Sequence, residues 1–369
     1  MKTMSDVIIA GGKTGGHLFP GIAVAQALGR LKQDIRVLFV GTRAPFEIST
    51  LEKYNLAHTA IYAKAIKGGN ILSKSGSMIM IAVSLLQSIM ILLRTRPGFV
   101  LGVGGFSSFA VVLAAWLLRI PTAIQEQNAY PGLTNRMLSR FARTVFISFE
   151  NTKGFTGNPK ARFVGNPMRR AQDSSPQDTS VLYGFDPEKF TLLITGGSQG
   201  AASINTSVVQ ALELMGSRAL NLNIIHQTGK TDESKIKAAY QRLNIPATVS
   251  AFFHDMPQLQ DMADLIITRA GAGTLSELCA KGKPAILVPF PFAADDHQTF
   301  NAKALEEKGA AVMIRDHDLS GQTLKQTIEP LMKNKNKLET MRKALLALAM
   351  PDADEKIANH ILQTMKARG

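Results

Sequence analysis

The feature that most constrains the fold is a junction that occurs four times. A short apolar run ends in glycines, and a helix-forming stretch follows. "VIIA" at 7–10 runs into "GGKTGGH", and "LLIT" at 192–195 runs into "GGSQGA". Later in each half, "VLGVGGFSS" at 100–108 and "LIITRAGAGT" at 265–274 repeat the pattern. Other short runs, such as "RVLFVG", "TAIQE", "TVFIS", "NIIHQT" and "AILVPF", alternate with helical stretches. They are near-continuously apolar, as strands buried on both faces of a parallel sheet must be. A glycine turn at the carboxyl end of such a strand lets backbone N–H groups face a ligand, and the next helix adds its positive end. Glycine also suits any tight β–α turn, so one junction would decide nothing. Four of them, two per half, predict an α/β chain of two Rossmann-like, doubly wound parallel-sheet domains facing a cleft.

A length of 369 residues gives room for two domains. Between 165 and 192 the sequence turns polar and proline-rich, which marks a linker. The expected division is 1–165 for the first domain, 166–190 for the linker and 191–345 for the second domain. Residues 346–369 are expected to form a helix that packs back on the first domain. Cys279 is the single cysteine, so no disulfide framework is possible and a reducing compartment is expected. The N-terminus lacks the basic-then-apolar pattern of a secretory leader.

The net charge of +14 is unevenly placed. Residues 1–170 hold 21 Lys and Arg against 6 Asp and Glu, whereas the remainder holds 21 against 22. A basic half favours an anionic partner: a membrane surface, a nucleic acid or a phosphorylated substrate. The plainer alternative is a solvated basic face. In the same half, "MIMIAVSLLQSIMILL" at 78–93 runs for 16 residues without a charge, bracketed by Lys74, Arg94 and Arg96. It is shorter than the roughly 20 residues of a spanning helix. Either it packs into the core, or it lies on an anionic leaflet. Trp116 sits in a second apolar stretch with the same two readings.

Two familiar phosphate motifs fail on spacing. An ATPase-type loop needs a glycine five residues before the glycine of Gly-Lys-Thr, and that position here is Val7. A dinucleotide loop needs an acid at the tip of the second strand, but "VLFVGTRAP" has none. Richer chemistry lies in "RAGAGTLSELCAKGKPAILVPFP", which reads as strand, small-residue turn and a helix starting near Thr274. Glu277, in its expected first turn, could accept both hydroxyls of a ribose, or be an ordinary acid favoured by the helix dipole. Downstream, "DDHQTFNA" groups Asp296, His297, Gln298 and Asn301, either for sugar hydroxyls or as a solvated loop and cap. "DHD" at 316–318 imitates a metal-binding motif but follows a strand near the chain's end, and is read as a loop; no metal is expected.

As a set, "GGKTGGHLFPG", "GVGGFSS", "EQNAYPGLTNRMLSRFA", "VGNPMR", "GGSQGA", "HQTGK", "RAGAGTLSE" and "PFPFAADDHQTFNA" resemble, in order and spacing, the motifs of the MurG family. These are the bacterial glycosyltransferases that form lipid II for peptidoglycan, and the resemblance covers almost the whole chain. It implies a GT-B fold and an inverting transfer of N-acetylglucosamine from UDP-N-acetylglucosamine to the 4-hydroxyl of N-acetylmuramic acid in undecaprenyl-linked lipid I. It further implies no cofactor, no nucleic acid, a peripheral position on the cytoplasmic face of the inner membrane, a part in cell shape and division, and room for other cell-wall enzymes as partners. Another GT-B enzyme, a UDP-sugar epimerase or a transferase with a different lipid acceptor, is the alternative.

The resemblance also assigns residues. Thr14, Gly15 and Gly16 meet the transferred sugar and diphosphate, and Asn128 reaches the sugar. Arg169 and Ser198 face the nucleotide or diphosphate. Phe253 lies next to the uracil, where family members often make contact through the backbone. Ala272, Gly273, Thr274, Leu275, Ser276 and Glu277 wrap the diphosphate and ribose, and Gln298 holds sugar hydroxyls. Gly104, Gly105, Phe106, Ser107 and Ser108 form the loop facing the acceptor diphosphate. His17 is either the general base for the acceptor hydroxyl, as an imidazole titrating near neutrality, or a donor to the diphosphate. The family's first loop usually lacks Lys13, which here either bulges out or adds a cation near the acceptor.

Overall fold

The structure, a computed structural model, describes residues 6–12, 14–63, 71–169 and 183–367, with the backbone alone for 71–78. Lys13 and most of the linker's middle lie outside them. The chain divides into two compact units. One comprises residues 1–170 together with 350–369, the other residues 171–349.

The first unit contains strands β1 (Val7–Ala10), β2 (Val37–Gly41), β3 (Ala57–Ala60), β4 (Phe99–Gly102), β5 (Thr122–Glu126), β6 (Thr144–Ile147) and β7 (Ala161–Phe163). They form one sheet in the order β3-β2-β1-β4-β5-β6-β7, with every pairing parallel. Side chains alternate across the sheet: Val7 and Ile9 enter one apolar core, Ile8 and Ala10 the other. That is why the strand is apolar at every position. The connecting helices are α1 (Gly15–Leu31), α2 (Pro45–Lys53), α3 (Ile71–Thr95), α4 (Phe106–Leu117) and α5 (Leu133–Leu138).

The second unit contains β8 (Phe190–Thr195), β9 (Leu222–Gln227), β10 (Thr248–Ser250), β11 (Leu265–Thr268), β12 (Ala285–Leu287) and β13 (Val312–Met313). Their order is β10-β9-β8-β11-β12-β13, again all parallel. Its helices are α6 (Ala202–Met215), α7 (Glu233–Arg242), α8 (Met256–Met262), α9 (Ala272–Lys281), α10 (His297–Glu306), α11 (Gly321–Lys333) and α12 (Lys335–Ala347).

The last helix, α13 (Ala353–Lys366), belongs to the first unit. Ile357, Ala358 and Ile361 enter the core that holds Val7 and Ile9. Buried Asp354 pairs with Arg30 of α1 at 2.6 Å.

In both sheets the strand order reverses direction once, between β1 and β4 and between β8 and β11. A doubly wound sheet opens a crevice at that point, outside the carboxyl ends of its strands. The four glycine junctions follow those four strands.

Candidate active site

In the first unit, β1 feeds Gly11 and Gly12 toward Thr14, which precedes α1 in an extended conformation. The Thr14 side chain does not cap the helix. Its Oγ1 lies 3.1 Å from Nδ1 of His17 instead. The other side of the imidazole rests on the β4 loop. Gly104 has φ +98, and a Cβ there would stand 2.6 Å from the imidazole Cδ2. Only glycine allows this approach. His17, Thr14 and the Gly104–Gly105 loop are therefore brought together, and Gly16 faces open space. Ser107 and Ser108 are buried, so the loop at 104–108 offers a ligand its backbone and the half-exposed Phe106, not two hydroxyls.

Asn128 follows β5 in a loop suspended on one carboxylate. Glu126, fully buried, accepts from the backbone N–H groups of Asn128 (2.9 Å) and Gly132 (3.1 Å) and from the amides of Asn135 (2.9 Å) and Asn128 (3.3 Å). Burial pushes its pKa up, against the pull of those four donors. Buried Gln127 donates to Val103 O at 2.7 Å, tying this loop to the one after β4. Arg169 is a fixed cation rather than a free arm. Its guanidinium lies 4.0 Å over the Phe19 ring and donates to the Tyr54 hydroxyl at 2.6 Å. Glu47, also buried, receives the Thr42 N–H and hydroxyl.

In the second unit, the β8 loop exposes Ser198, and Gly197 N donates to Thr195 Oγ1 at 3.1 Å. Gln227, at the tip of β9, donates to Gly197 O (3.0 Å) and Thr195 Oγ1 (3.2 Å) and accepts from Phe253 N (2.9 Å). The Phe253 ring is buried and meets Tyr183 edge-on at 6.2 Å. Below this region His226 is fully buried between Tyr240 Oη (2.9 Å) and Asn205 Oδ1 (3.0 Å), and burial pushes its pKa down to about 3.

The helix after β11 begins at Ala272, two residues earlier than its sequence suggests, because the small residues at 272 and 273 continue the helix. Glu277 is consequently in the second turn, not the first. Its carboxylate accepts from buried Gln260 at 3.3 Å. Ala272 and Leu275 are buried, so their only offer to a ligand is backbone, whereas Gly273 is exposed. Ser276 bonds back to Ala272 O at 2.9 Å. No side chain caps α9, leaving its first N–H groups as anion donors.

Gln298 is oriented rigidly: Oε1 accepts from Ala270 N (3.1 Å) and Phe290 N (3.0 Å). Its amide NH2 is the part left to donate to a ligand. Asp316 of "DHD" is committed to Arg269 at 2.5 Å and to the Ser203 hydroxyl at 2.8 Å, while Arg269 also donates to Val288 O and Pro289 O. Among the described residues, no group of three or more metal-ligating side chains is assembled. Sequence reasoning missed Glu126, Gln227, Gln260 and Arg269. "EQN", "HQTGK" and "RAGAG" each carry one of them, but the bonds of Gln227 and Arg269 cross between separate βα units, and Glu126 gains its donors only when Gly132 and Asn135 fold back onto it.

Two family models match the chain: the glycosyltransferase family 28 N-terminal domain over residues 7–147 and the C-terminal domain over 191–357. A protein of Myxococcus xanthus (strain DK1622) is 40% identical over 362 residues, covering 98% of this chain and 94% of its own. One of Syntrophus aciditrophicus (strain SB) is 43% identical over 335 residues, covering 91% and 92%. Both are named UDP-N-acetylglucosamine--N-acetylmuramyl-(pentapeptide) pyrophosphoryl-undecaprenol N-acetylglucosamine transferase. Among solved structures, MurG of Acinetobacter baumannii superposes with a TM-score of 0.79 at 31% identity, covering 97% of this chain and 99% of that one. MnaA of S. aureus with UDP gives 0.70 at 16% identity, a likeness of fold alone.

Proposed function

Because the chain belongs to glycosyltransferase family 28, together with those bacterial N-acetylglucosamine transferases, we propose that it converts lipid I to lipid II. N-acetylglucosamine moves from UDP-N-acetylglucosamine to the 4-hydroxyl of the N-acetylmuramyl sugar of an undecaprenyl-diphosphate pentapeptide acceptor. The observation that carries this reading is the identity of about 40% over nearly the whole length of such transferases.

The second unit takes the donor. The uncapped N-terminus of α9 and the Ser198 loop receive the diphosphate, Glu277 the ribose diol, and the Gln298 amide the sugar hydroxyls. The first unit takes the acceptor on the Gly104–Phe106 loop. In the reaction the acceptor oxygen forms a bond to the anomeric carbon while the bond from that carbon to the diphosphate breaks, and configuration inverts. His17, oriented by Thr14, removes the hydroxyl proton. The negative charge on departing UDP falls on the α9 N–H groups.

No helix among the described residues is long and apolar enough to cross a membrane. Attachment is peripheral, through α3. Two of its serines face inward: Ser84 and Ser88 are buried and bond to the backbone four residues back, at 2.7 Å each. Ile79, Val83, Leu86, Met90 and Leu93 form the outward stripe, and Ile79, Leu86 and Leu93 are 67%, 61% and 58% exposed. A helix serving only a core would present the opposite faces. With the excess of Lys and Arg in residues 1–170, the stripe suits the anionic cytoplasmic leaflet of the inner membrane. The test is transfer of labelled N-acetylglucosamine to purified lipid I. Consumption of UDP-N-acetylglucosamine without any acceptor would favour an epimerase instead.

A further inference from the structure

We propose that Gln227 is a positioning residue that couples the base side of the donor site to its diphosphate side, so that the two parts of UDP are bound as one unit. The inference rests on the donor reading of the second unit. The sheet register sets Gln227 beside Thr195 of β8 and Ser250 of β10. From that central place its buried side chain reaches both neighbouring loops.

Its amide nitrogen donates to Gly197 O and Thr195 Oγ1, holding the loop that carries Ser198. Its amide oxygen accepts from Phe253 N, holding the loop that follows β10. All three bonds come from one buried amide, whose alternatives inside the protein would be unsatisfied groups. The loops also touch through glycine. Gly229, two residues beyond Gln227, packs against the Gln199 carbonyl, and Gly200 packs against the Thr228 carbonyl so closely that neither can carry a side chain. Fixing one loop therefore restricts the other, and a ligand that orders the base side removes part of the ordering cost on the diphosphate side.

The coupling can be tested in the unaltered protein. Uridine has a base and ribose but no phosphate. In hydrogen exchange of the full chain, saturating uridine should slow the amides of 196–200 as well as those of 251–255. Protection confined to 251–255 overturns the proposal.

Two variants separate the arms. Gln227→Glu keeps an acceptor for Phe253 N but loses the donors to Gly197 O. It should hold uridine within threefold of the original affinity and UDP at least tenfold more weakly by calorimetry. Gln227→Leu should weaken both ligands, raise the donor KM at least tenfold, and leave the acceptor KM within threefold. Equal losses for the two variants on both ligands, or a fall in kcat and thermal stability with both KM values raised alike, would mark Gln227 as merely structural. The donor reading fails separately: if the unaltered protein binds UDP with coupled protection but transfers nothing to lipid I, the acceptor assignment falls and the coupling stands. If it binds neither uridine nor UDP, both fall.

Discussion

His226 gives the second unit a defined sensitivity to acid. Asn205 is oriented by donating its own amide to Thr228 O (3.0 Å) and Asp232 Oδ2 (2.9 Å), so its Oδ1 must accept from His226 Nε2. Nδ1 then accepts from the Tyr240 hydroxyl. The ring is neutral, buried and bonded at both nitrogens, and burial lowers its pKa to about 3. An unfolded histidine titrates near 6.5. With the folded value depressed, the unfolded chain binds more protons between those limits. The stabilisation is complete above about pH 6.5 and is lost as pH falls toward 3. From pH 7.5 to 5.0 the loss amounts to about 2 kcal/mol. For a unit of this size that is a fall in Tm of about 4–8 °C. Other groups titrate in the same range, so the measurement is a double difference against His226→Gln, which cannot titrate. Calorimetric scans of both proteins at pH 7.5 and 5.0 should show the unaltered chain losing about 2 kcal/mol more than the variant. Parallel losses would refute the assignment of a neutral, acid-resistant His226.

Other expectations concern the reaction and the membrane. Glu277→Ala should raise the donor KM about 10- to 100-fold, the worth of a charged hydrogen bond to ribose, with kcat little changed; unaltered UDP affinity would refute the ribose role. His17→Ala should lower kcat by about 100-fold or more in steady-state transfer, whereas a change in KM alone would leave it as a binding group. Leu86→Glu with Leu93→Glu should weaken binding to anionic phospholipid vesicles at least tenfold, each residue withdrawing about 1.5–3 kcal/mol of apolar burial, without lowering Tm. Retained vesicle binding would return the α3 stripe to another partner.

The sequence was most legible where the physics is local. The strands buried on both faces announced themselves by unbroken apolar runs, and the glycine junctions marked the carboxyl edge of each sheet. The strands that escaped notice are β3, "AHTA", and β7, "ARF". Both are edge strands of the first sheet with substantial exposure, so nothing forces them to be apolar. The start of α9 was misplaced because Ala272 and Gly273 carry no capping signal. In α3 the run of apolar residues was plain, but not that Ser84 and Ser88 turn inward. The site's supporting bonds were least legible: Gln227 meets Gly197 across 30 residues, and Arg269 meets Asp316 across 47. Only strand order and register bring such pairs together.

The same device recurs in the first unit, and that recurrence yields the sharpest remaining test. A glycine loop at a strand tip allows close approach of a ligand but has little conformational preference of its own. Something must hold it. In the second unit Gln227 donates to the Gly197 carbonyl of the neighbouring loop. In the first, Gln127, just past β5, donates to the Val103 carbonyl immediately before Gly104. Gln127→Leu leaves that buried carbonyl without its donor, at a cost of about 1–3 kcal/mol, and frees the loop on which His17 rests. If the first unit holds the acceptor, the acceptor KM should rise at least tenfold while UDP affinity stays constant. This is the mirror image of the Gln227→Leu result. A donor defect from Gln127→Leu, measured by UDP calorimetry, would overturn the division of labour between the two units.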